Sequence, residues 1–94
     1  MGIRFEWDAA KAEINIKKHC VSFDEASTVF QDPLACIFDD TEHSVEEFRE
    51  IIIGHSVMGH LLVVSFTERI TDLVRIISAR PTTKAERRDY EENH

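Results

Sequence analysis

The sequence predicts an α+β domain in which three helices pack on a mainly antiparallel sheet. Three observations predict it. The N-terminal third carries two helix-start signals, the second half carries apolar segments of strand length joined by hairpin-length links, and a third helix-start signal follows the last of these segments. The predicted order is β-α-α-β-β-β-β-α. With 94 residues, the chain is expected to form one domain over residues 1–94.

The N-terminal elements follow from local pattern and capping chemistry. Residues 3–7 alternate apolar and polar side chains, as a short strand does. Asp8 then provides an N-cap for a helix over residues 9–18. Ser22 with Glu25 three residues later forms a capping-box signal for a second helix, which the Asp32-Pro33 pair ends.

The rest of the chain reads as strands and one last helix. Apolar segments at residues 34–38, 48–54, 61–67 and 73–79 predict four strands, with an acidic connection over residues 39–47. Pro81 and Thr82 are expected to end the last strand. Thr83 and Glu86 form another capping-box signal, which predicts a C-terminal helix.

The charge distribution limits the functions that the chain can serve. The formal net charge is -7, and residues 1–50 hold five basic and twelve acidic groups whereas residues 51–94 hold six of each. A uniformly basic nucleic-acid surface is therefore excluded, and any polyanion site must be local. The longest apolar runs are too short for a membrane span, and no signal-peptide pattern opens the chain, so we predict a cytoplasmic protein. Cys20 and Cys36 lack metal-site spacing, and no cofactor or metal is predicted.

Seven short motifs occur together in one order along the chain. They are FEWD at 5–8, KKH with VSFDEA within 17–26, VFQDP at 29–33, HSVEEFR at 43–49, IGHS at 53–56, RIISAR at 75–80 and ERRDYE at 86–91. In this combination the chain resembles the BrnT toxins of bacterial type II toxin–antitoxin modules, from about residue 5 to residue 91.

The resemblance implies a fold, an activity and partners. The fold would be similar to that of RelE-type ribonuclease toxins, and the activity a metal-independent endoribonuclease that stops translation. A BrnA-like antitoxin with a DNA-binding ribbon-helix-helix part would neutralise the toxin, and operator DNA would be reached only through that antitoxin. Two departures from the family pattern affect the site geometry. Cys20 stands where a glycine is usual, which implies either backbone strain or a different helix exit. Pro81-Thr82 replaces the usual residue-Ala pair, and Pro81 could change where Arg80 points.

Cleavage of RNA without a metal needs a base for the 2′-hydroxyl, cations for the phosphate and an acid for the leaving oxygen. An unperturbed histidine has a pKa near neutrality, which makes His43 a candidate acid or base. Glu47 lies four residues later, so Glu47 either orients His43 or acts as the base itself. Arg49 and Arg80 are the predicted phosphate-stabilising residues. Tyr90 is predicted to donate a proton or stack a base, with ring packing on the sheet as the structural alternative.

Four further cations are predicted to hold RNA: Arg75, Lys84, Arg87 and Arg88. Arg75 and Arg80 lie an odd number of residues apart, so a regular strand would place them on opposite faces unless a bulge or the exit at Pro81 redirects Arg80. We expect Arg80 and Lys84, at the start of the last helix, to form a corner that receives a phosphate. The structural alternative for each cation is a surface ion pair or a solvated helix face.

A second hypothesis keeps the fold without the catalysis. The chain would then be a binding module in an antitoxin and operator-DNA repressor complex, and the net charge of -7 favours it. The His43, Glu47 and Arg49 spacing favours the enzyme. Trp7 and His19 are expected to be structural, and His55 and His60 are expected to be solvated.

Overall fold

The structure is a computed structural model that describes residues 2–43 and 47–93, with His43 described by its backbone alone. The described elements are β1 (Arg4–Glu6), α1 (Ala9–His19), α2 (Phe23–Thr28) continued by a 3-10 turn (Val29–Gln31), β2 (Cys36–Asp39), a second 3-10 turn (Thr41–His43), β3 (Glu50–His55), β4 (Leu61–Ile70), β5 (Leu73–Pro81) and α3 (Lys84–Glu92). The predicted order of strands and helices is confirmed.

The strands form one sheet in the order β1-β5-β4-β3-β2. The β2-β3, β3-β4 and β4-β5 pairs are antiparallel, as the short links predict, whereas β1 pairs with β5 in parallel. The parallel pair is possible because α1 and α2 intervene between β1 and the later strands. Within the described residues, β1 and β2 are therefore the two outer strands.

The main core lies between one face of the sheet and the first two helices. Phe23, Ala26 and Val29 are fully buried against strand residues such as Val64 and Ile76. Phe30 links the strands further, because its ring contacts Phe5 and Phe66 edge to face at centroid distances of 5.2 and 4.9 Å. Each buried aliphatic or aromatic side chain contributes about 1.5–3 kcal/mol. This packing fixes the sheet that carries the candidate site on its opposite face.

The helix starts agree with the capping signals. Asp8 accepts from the Lys11 backbone N–H at 3.0 Å, and Ser22 accepts from that of Glu25 at 3.0 Å. Thr83 and Glu86 form the complete reciprocal capping box of α3. Each such cap contributes about 1 kcal/mol and sets where the helix begins.

The predicted placement of Arg75 and Arg80 on opposite faces is wrong, because β5 contains a bulge. Arg75 pairs with Thr67 and Arg80 pairs with Val63, while the pairing passes from Ile76 to Ser78 and leaves out Ile77. Thr67 and Val63 are an even number of residues apart on β4. The extra residue in β5 therefore returns both arginines to one face of the sheet.

Pro81 also differs from expectation, since it is the last residue of β5 and not the residue that breaks it. Pro81 pairs with Leu62, and the next ladder bond runs from the Thr82 N–H to the Leu61 carbonyl at 3.2 Å. Ladder bonds alternate in an antiparallel pair, so Pro81 occupies a position that donates nothing to β4. The missing N–H therefore leaves the ladder intact.

Asn15 is buried on α1 and joins three parts of the fold. Its amide nitrogen donates to the carbonyls of Val21 (2.9 Å) and Ala79 (2.8 Å), and its amide oxygen accepts from the Ala79 N–H (3.1 Å). Ala79 lies beyond the residues of β5 that β1 pairs. The side-chain amide of Asn15 thus supplies the donor and acceptor that a continuing strand would have supplied.

We expect Asn15→Ala to lower the free energy of unfolding by about 3 kcal/mol or more, because the substitution leaves buried groups of Ala79 and Val21 without partners. Urea denaturation measures the change. The control is Glu13→Ala on the exposed side of the same helix, which is expected to change stability by no more than about 0.5 kcal/mol. Equal effects of the two substitutions would contradict this role of Asn15.

Cys20 keeps the left-handed conformation that a glycine would adopt after α1. Its φ and ψ are 60° and 29°, and its N–H donates to the Ile16 carbonyl at 2.9 Å. A side chain in this region costs about 1–2 kcal/mol. Of the two outcomes foreseen for the departure, backbone strain and a changed helix exit, the structure shows the strained cap.

Cys20→Gly is therefore expected to raise the free energy of unfolding by about 0.5–1 kcal/mol, after the larger backbone entropy of glycine in the unfolded chain is subtracted. Thermal and urea unfolding measure it. Cys20→Ser keeps a side chain at the same φ and serves as the control that should show no gain. A Gly variant no more stable than the Ser variant would show that the cap is unstrained.

Candidate functional site

A groove of about 330 Å³ lies on the face of the sheet opposite the main core. Arg80 of β5 and Arg49, which directly precedes β3, both line it. Its floor is partly apolar and carries the hydroxyl residues Ser65 and Ser78. The lining residues in full are Asp40, Glu42, Arg49, Ile51, Val63, Ser65, Ile77, Ser78 and Arg80. Two arginines distant in sequence thus meet at one concave surface.

The guanidinium of Arg80 is held by α3. Its two terminal nitrogens donate to the two carboxylate oxygens of Glu86 at 2.7 and 2.8 Å. The same carboxylate accepts from the Thr83 N–H at 2.8 Å. These contacts, with that of Arg80 the strongest, lower the pKa of Glu86 to about 2. The predicted phosphate corner is therefore filled, in this state of the molecule, by a side-chain carboxylate.

Arg49 is half-buried at the base of the connection between β2 and β3. Its Nε lies 3.7 Å from a carboxylate oxygen of Glu47, and its carbonyl accepts from the Asp40 N–H at 2.9 Å. The adjacent Phe48 carbonyl accepts from the buried hydroxyl of Thr67 at 2.7 Å. Backbone bonds at this end of the connection thus hold Arg49 against the sheet.

The predicted proton-transfer residues belong to the same connection. Glu47 is next to Arg49 in space, as the 3.7 Å distance shows. The backbone of His43 ends the 3-10 turn Thr41–His43, one residue after Glu42, which lines the groove. The His43 side chain lies outside the described residues, so its predicted role stays a prediction.

Tyr90 lies in a different pocket from the two arginines. It is buried, and its hydroxyl donates to the Asp32 carboxylate at 3.3 Å and the Leu34 carbonyl at 3.4 Å. Its ring packs edge to face on His55, with centroids 5.5 Å apart. Burial, followed by the Asp32 charge, raises the pKa of Tyr90. These contacts attach α3 to the β2 side of the sheet and agree with the structural alternative for this residue.

The predicted RNA-binding cations are spread over the surface. Arg75 shares the face of Arg80 but lies outside the groove lining and forms an ion pair with Glu6 at 3.1 Å. Lys84 and Arg88 are exposed on α3. Arg87 is also exposed and lies 3.7 Å from Glu91. The bulge places Arg75 on the face of the sheet that carries Arg80, and α3 carries Lys84, Arg87 and Arg88.

Sequence reasoning missed four residues that line the groove: Asp40, Glu42, Ser65 and Ser78. Asp40 and Glu42 belong to the acidic connection over residues 39–47, where no sequence pattern separates the residues that line the groove from the others. Ser65 faces the groove with Val63 by strand alternation, a signal that was present in the sequence. Ser78 joins them only because of the bulge, and no local pattern predicted that.

His55 and His60 are exposed, as expected for solvated residues, and each also has a partner in the fold. The His60 ring nitrogen Nδ1 lies 2.7 Å from Glu25, and the same carboxylate oxygen accepts from the Ser56 hydroxyl at 2.7 Å. The backbone N–H of His55 donates to Asp32 at 2.8 Å. These bonds tie the β3-β4 hairpin to α2, which is a structural task.

Among the side chains that the structure describes, those of residues 2–42 and 47–93, no three of His, Cys, Asp or Glu are grouped so as to hold a metal ion. In the same residues, no helix has the length and apolar character needed to cross a membrane.

Comparisons with known proteins agree with this architecture. A family model described as "Ribonuclease toxin, BrnT, of type II toxin-antitoxin system" matches residues 7–86. A 1.1 Å crystal structure of the Brucella abortus ribonuclease toxin BrnT superposes with a TM-score of 0.67 at 21% identity, covering 87% of this chain and 99% of that one. None of the curated proteins matches the chain with significance.

The fold is thus that of a small α+β ribonuclease toxin, with two arginines on the open face of its sheet. The family match covers most of the sequence, and the chain belongs to the BrnT family of type II toxin–antitoxin systems. The predicted family and fold class are confirmed. The relation to RelE-type toxins stays a prediction.

Because of the Arg80–Glu86 ion pair, the difference in stability between the original protein and Arg80→Ala is expected to depend on pH. Glu86 has a lowered pKa in the folded state, so the pair stabilises the fold above the ordinary pKa of 4.5, and this contribution falls as pH drops towards about 2. Because both side chains are partly exposed, we expect Arg80→Ala to lower stability by about 1 kcal/mol at pH 7.

Urea denaturation of both proteins at pH 7, 4.5 and 2.5 measures this difference. It should change little between pH 7 and 4.5 and shrink clearly at pH 2.5, because protonated Glu86 no longer distinguishes the two proteins. Arg88→Ala removes an exposed cation of the same helix and is the control expected to show little dependence on pH. A difference for Arg80→Ala that is constant over this range would mean that only packing was lost.

Proposed function

We propose that the chain is a metal-independent endoribonuclease that cleaves RNA in the groove lined by Arg49 and Arg80. The meeting of these two arginines at one concave surface is the observation that carries the proposal. Guanidinium groups bind phosphate oxygens with two parallel hydrogen bonds and keep their charge at any physiological pH. The family's description as a ribonuclease toxin supports RNA as the source of that phosphate.

The proposed reaction is internal transfer at the phosphodiester. A base takes the proton of the 2′-hydroxyl, the 2′-oxygen bonds to phosphorus, and the bond to the 5′-oxygen breaks as that oxygen receives a proton. Arg49 and Arg80 stabilise the charge on the non-bridging oxygens. DNA lacks the 2′-hydroxyl, so the reaction is limited to RNA.

His43 and Glu47 are the proposed proton-transfer residues. Glu47 supports this because its carboxylate is already 3.7 Å from Arg49. His43 follows Glu42, a residue of the groove wall. The two orders of action, with Glu47 as base or as the group that orients His43, both remain. The role of Tyr90 as a proton donor also stays a prediction. In this structure its hydroxyl donates to Asp32, outside the groove.

The remaining RNA contacts are proposed to follow the backbone away from the groove. Arg75 continues the face of Arg80 along β5, and Lys84, Arg87 and Arg88 are exposed on α3 next to it. Asp40 and Glu42 at the groove wall repel phosphate. Their charges restrict favourable phosphate positions to the neighbourhood of the arginines, as a locally cationic site in an acidic protein requires.

The cellular role that we propose is inhibition of translation in the cytoplasm. A BrnA-like antitoxin would neutralise the toxin, and its ribbon-helix-helix part would bring the complex to operator DNA. Membership of a type II toxin–antitoxin family supports the existence of an antitoxin partner. The strongly acidic first half of the chain suits a basic patch on that partner.

The alternative is a non-catalytic module that uses this fold to bind an antitoxin within a repressor. One observation favours it: the carboxylate of Glu86 already occupies the fork of Arg80. An incoming phosphate must displace that carboxylate or bind beside it. A catalytic assay with variants separates the two functions.

Purified protein incubated with RNA in EDTA is expected to cleave it. Arg49→Ala and Arg80→Ala should each lower the cleavage rate by about 10²–10³-fold, because each removes a charge that stabilises the transition state. His43→Ala should lower it by about 10²-fold or more. Gel analysis of a labelled RNA gives the rates, with circular dichroism as the check on folding.

Arg69→Ala is the matched control, because it removes an exposed arginine of β4 that does not line the groove. Its rate should equal that of the original protein. Intact RNA in the presence of EDTA, together with tight antitoxin binding, would establish the non-catalytic alternative. Equal rates for the Arg80 and Arg69 variants would remove Arg80 from the mechanism.

A further inference from the structure

Strand β2 is an outer strand of the described sheet, and its two central side chains are apolar and exposed. Ile37 is 55% exposed and Phe38 is 53% exposed, and strand alternation directs them to opposite faces. Natural edge strands are usually protected by lysine, proline or a covering segment. The sequence of β2, Cys-Ile-Phe-Asp, contains neither lysine nor proline.

The hydrogen-bond phase of β2 shows which backbone groups face outward. The Asp40 N–H donates to the Arg49 carbonyl across the β2-β3 pair. Because hydrogen-bonded and non-bonded positions alternate in an antiparallel pair, Phe38 also points its backbone groups towards β3. The N–H and carbonyl groups of Ile37 and Asp39 therefore point away from the sheet, towards the open edge.

An apolar pocket of about 410 Å³ adjoins this edge on the face that carries Phe38. Its floor contains Cys36, Phe38, Ile53 and the ring of Tyr90. Glu86 and Asp89 of α3 also line it. A strand added beside β2 would extend the apolar surface of this pocket with every second side chain.

The C-terminal end of β2 is strongly acidic. Asp39 pairs directly with Glu50 of β3, and burial followed by the charges of Asp39 and Glu68 raises the pKa of Glu50. Asp40 follows at once and belongs to the wall of the arginine groove. An occupant of this edge must therefore bring positive charge to its acidic end.

We propose that the free edge of β2 receives an extended segment of the antitoxin, which is both apolar and basic and adds a sixth strand to the described sheet. The identity of the partner rests on the proposed function. The segment would bond to the backbone of Ile37 and Asp39, cover Phe38 with apolar side chains and place lysine or arginine near Asp39. A second copy of this chain is disfavoured, because its own β2 brings no positive charge to this acidic end.

This position explains how the partner would reach the proposed active site. Asp40 directly follows β2 and lines the groove of Arg49 and Arg80. Glu86 lines the β2 pocket and also binds Arg80. A segment that continues past Asp39 therefore passes the entrance of the groove, where it would obstruct RNA.

Amide hydrogen exchange followed by NMR tests the proposal, with the full-length antitoxin of the same module as the probe. In the free protein the N–H groups of Ile37 and Asp39 should exchange rapidly. In the complex their exchange should slow by about tenfold or more, because they become ladder donors. Protection confined to α3, or unchanged exchange at both residues, would overturn the proposal.

Ile37→Pro removes the outward N–H and leaves the bonds to β3 in place, which is the position at which an edge strand tolerates proline. It should weaken antitoxin binding by about 10–100-fold in titration calorimetry. Phe38→Lys, a second variant with an unaltered backbone, should weaken binding at least about tenfold. Ile14→Lys changes an exposed apolar residue of α1, and it is the control expected to bind normally. Normal binding by both β2 variants would sink the proposal.

The outcome can be separated from that of the nuclease proposal. Phe38→Lys and Ile37→Pro lie outside the groove lining, so both should cleave RNA at the original rate and resist neutralisation by the antitoxin. Protection of Ile37 and Asp39 in a protein that never cleaves RNA would sustain this inference and overturn the nuclease alone. Sedimentation showing a dimer that Phe38→Lys dissociates, with no antitoxin effect at these amides, would assign the edge to a second copy.

Discussion

The site depends first on the way in which Asn15 completes β5. Strand β1 pairs with β5 only as far as Arg75, yet Arg80, which lines the groove, lies further along. Past the end of β1, the Asn15 side chain bonds both backbone groups of Ala79 and also the Val21 carbonyl. One buried amide thereby fixes the helix α1, the turn after it and the strand segment that presents Arg80. Without it, this segment would have buried polar groups and no fixed direction.

The second constraint is the internal competition for Arg80. Glu86 caps α3 through Thr83 and binds the Arg80 guanidinium with both oxygens, so one carboxylate links the start of the helix to the groove. This arrangement orients the arginine before any ligand arrives. It also lowers the free charge that RNA would meet. The two effects on phosphate binding oppose each other. A guanidinium that is already fixed loses less entropy when it binds a phosphate, but Arg80 must first release its hydrogen bonds to Glu86.

The elements that depend on neighbouring residues were predictable, and those that depend on distant ones were not. Asp8, Ser22 and Thr83 predict helix starts, because the side chain of a capping residue bonds to a backbone N–H only two or three residues later. The bulge at Ile77 has no such sign, since RIISAR contains neither glycine nor proline. Asn15 likewise appears as an ordinary polar residue of a helix, although its partner Ala79 is 64 positions away. The two arginines of the groove were named from the sequence, but their common face depends on features that only the folded chain reveals.

The net charge of -7 has local consequences that depend on where the acidic side chains lie. Asp40 directly follows β2 and lines the groove, so in the two proposals its charge would act on two ligands of opposite sign. It would repel a polyanion from the groove wall and attract a basic polypeptide to the adjacent edge. A toxin needs RNA only transiently but must be held firmly by its antidote. A groove whose two arginines already lie beside carboxylates, next to an outer strand with an acidic end, suits both of these proposed requirements.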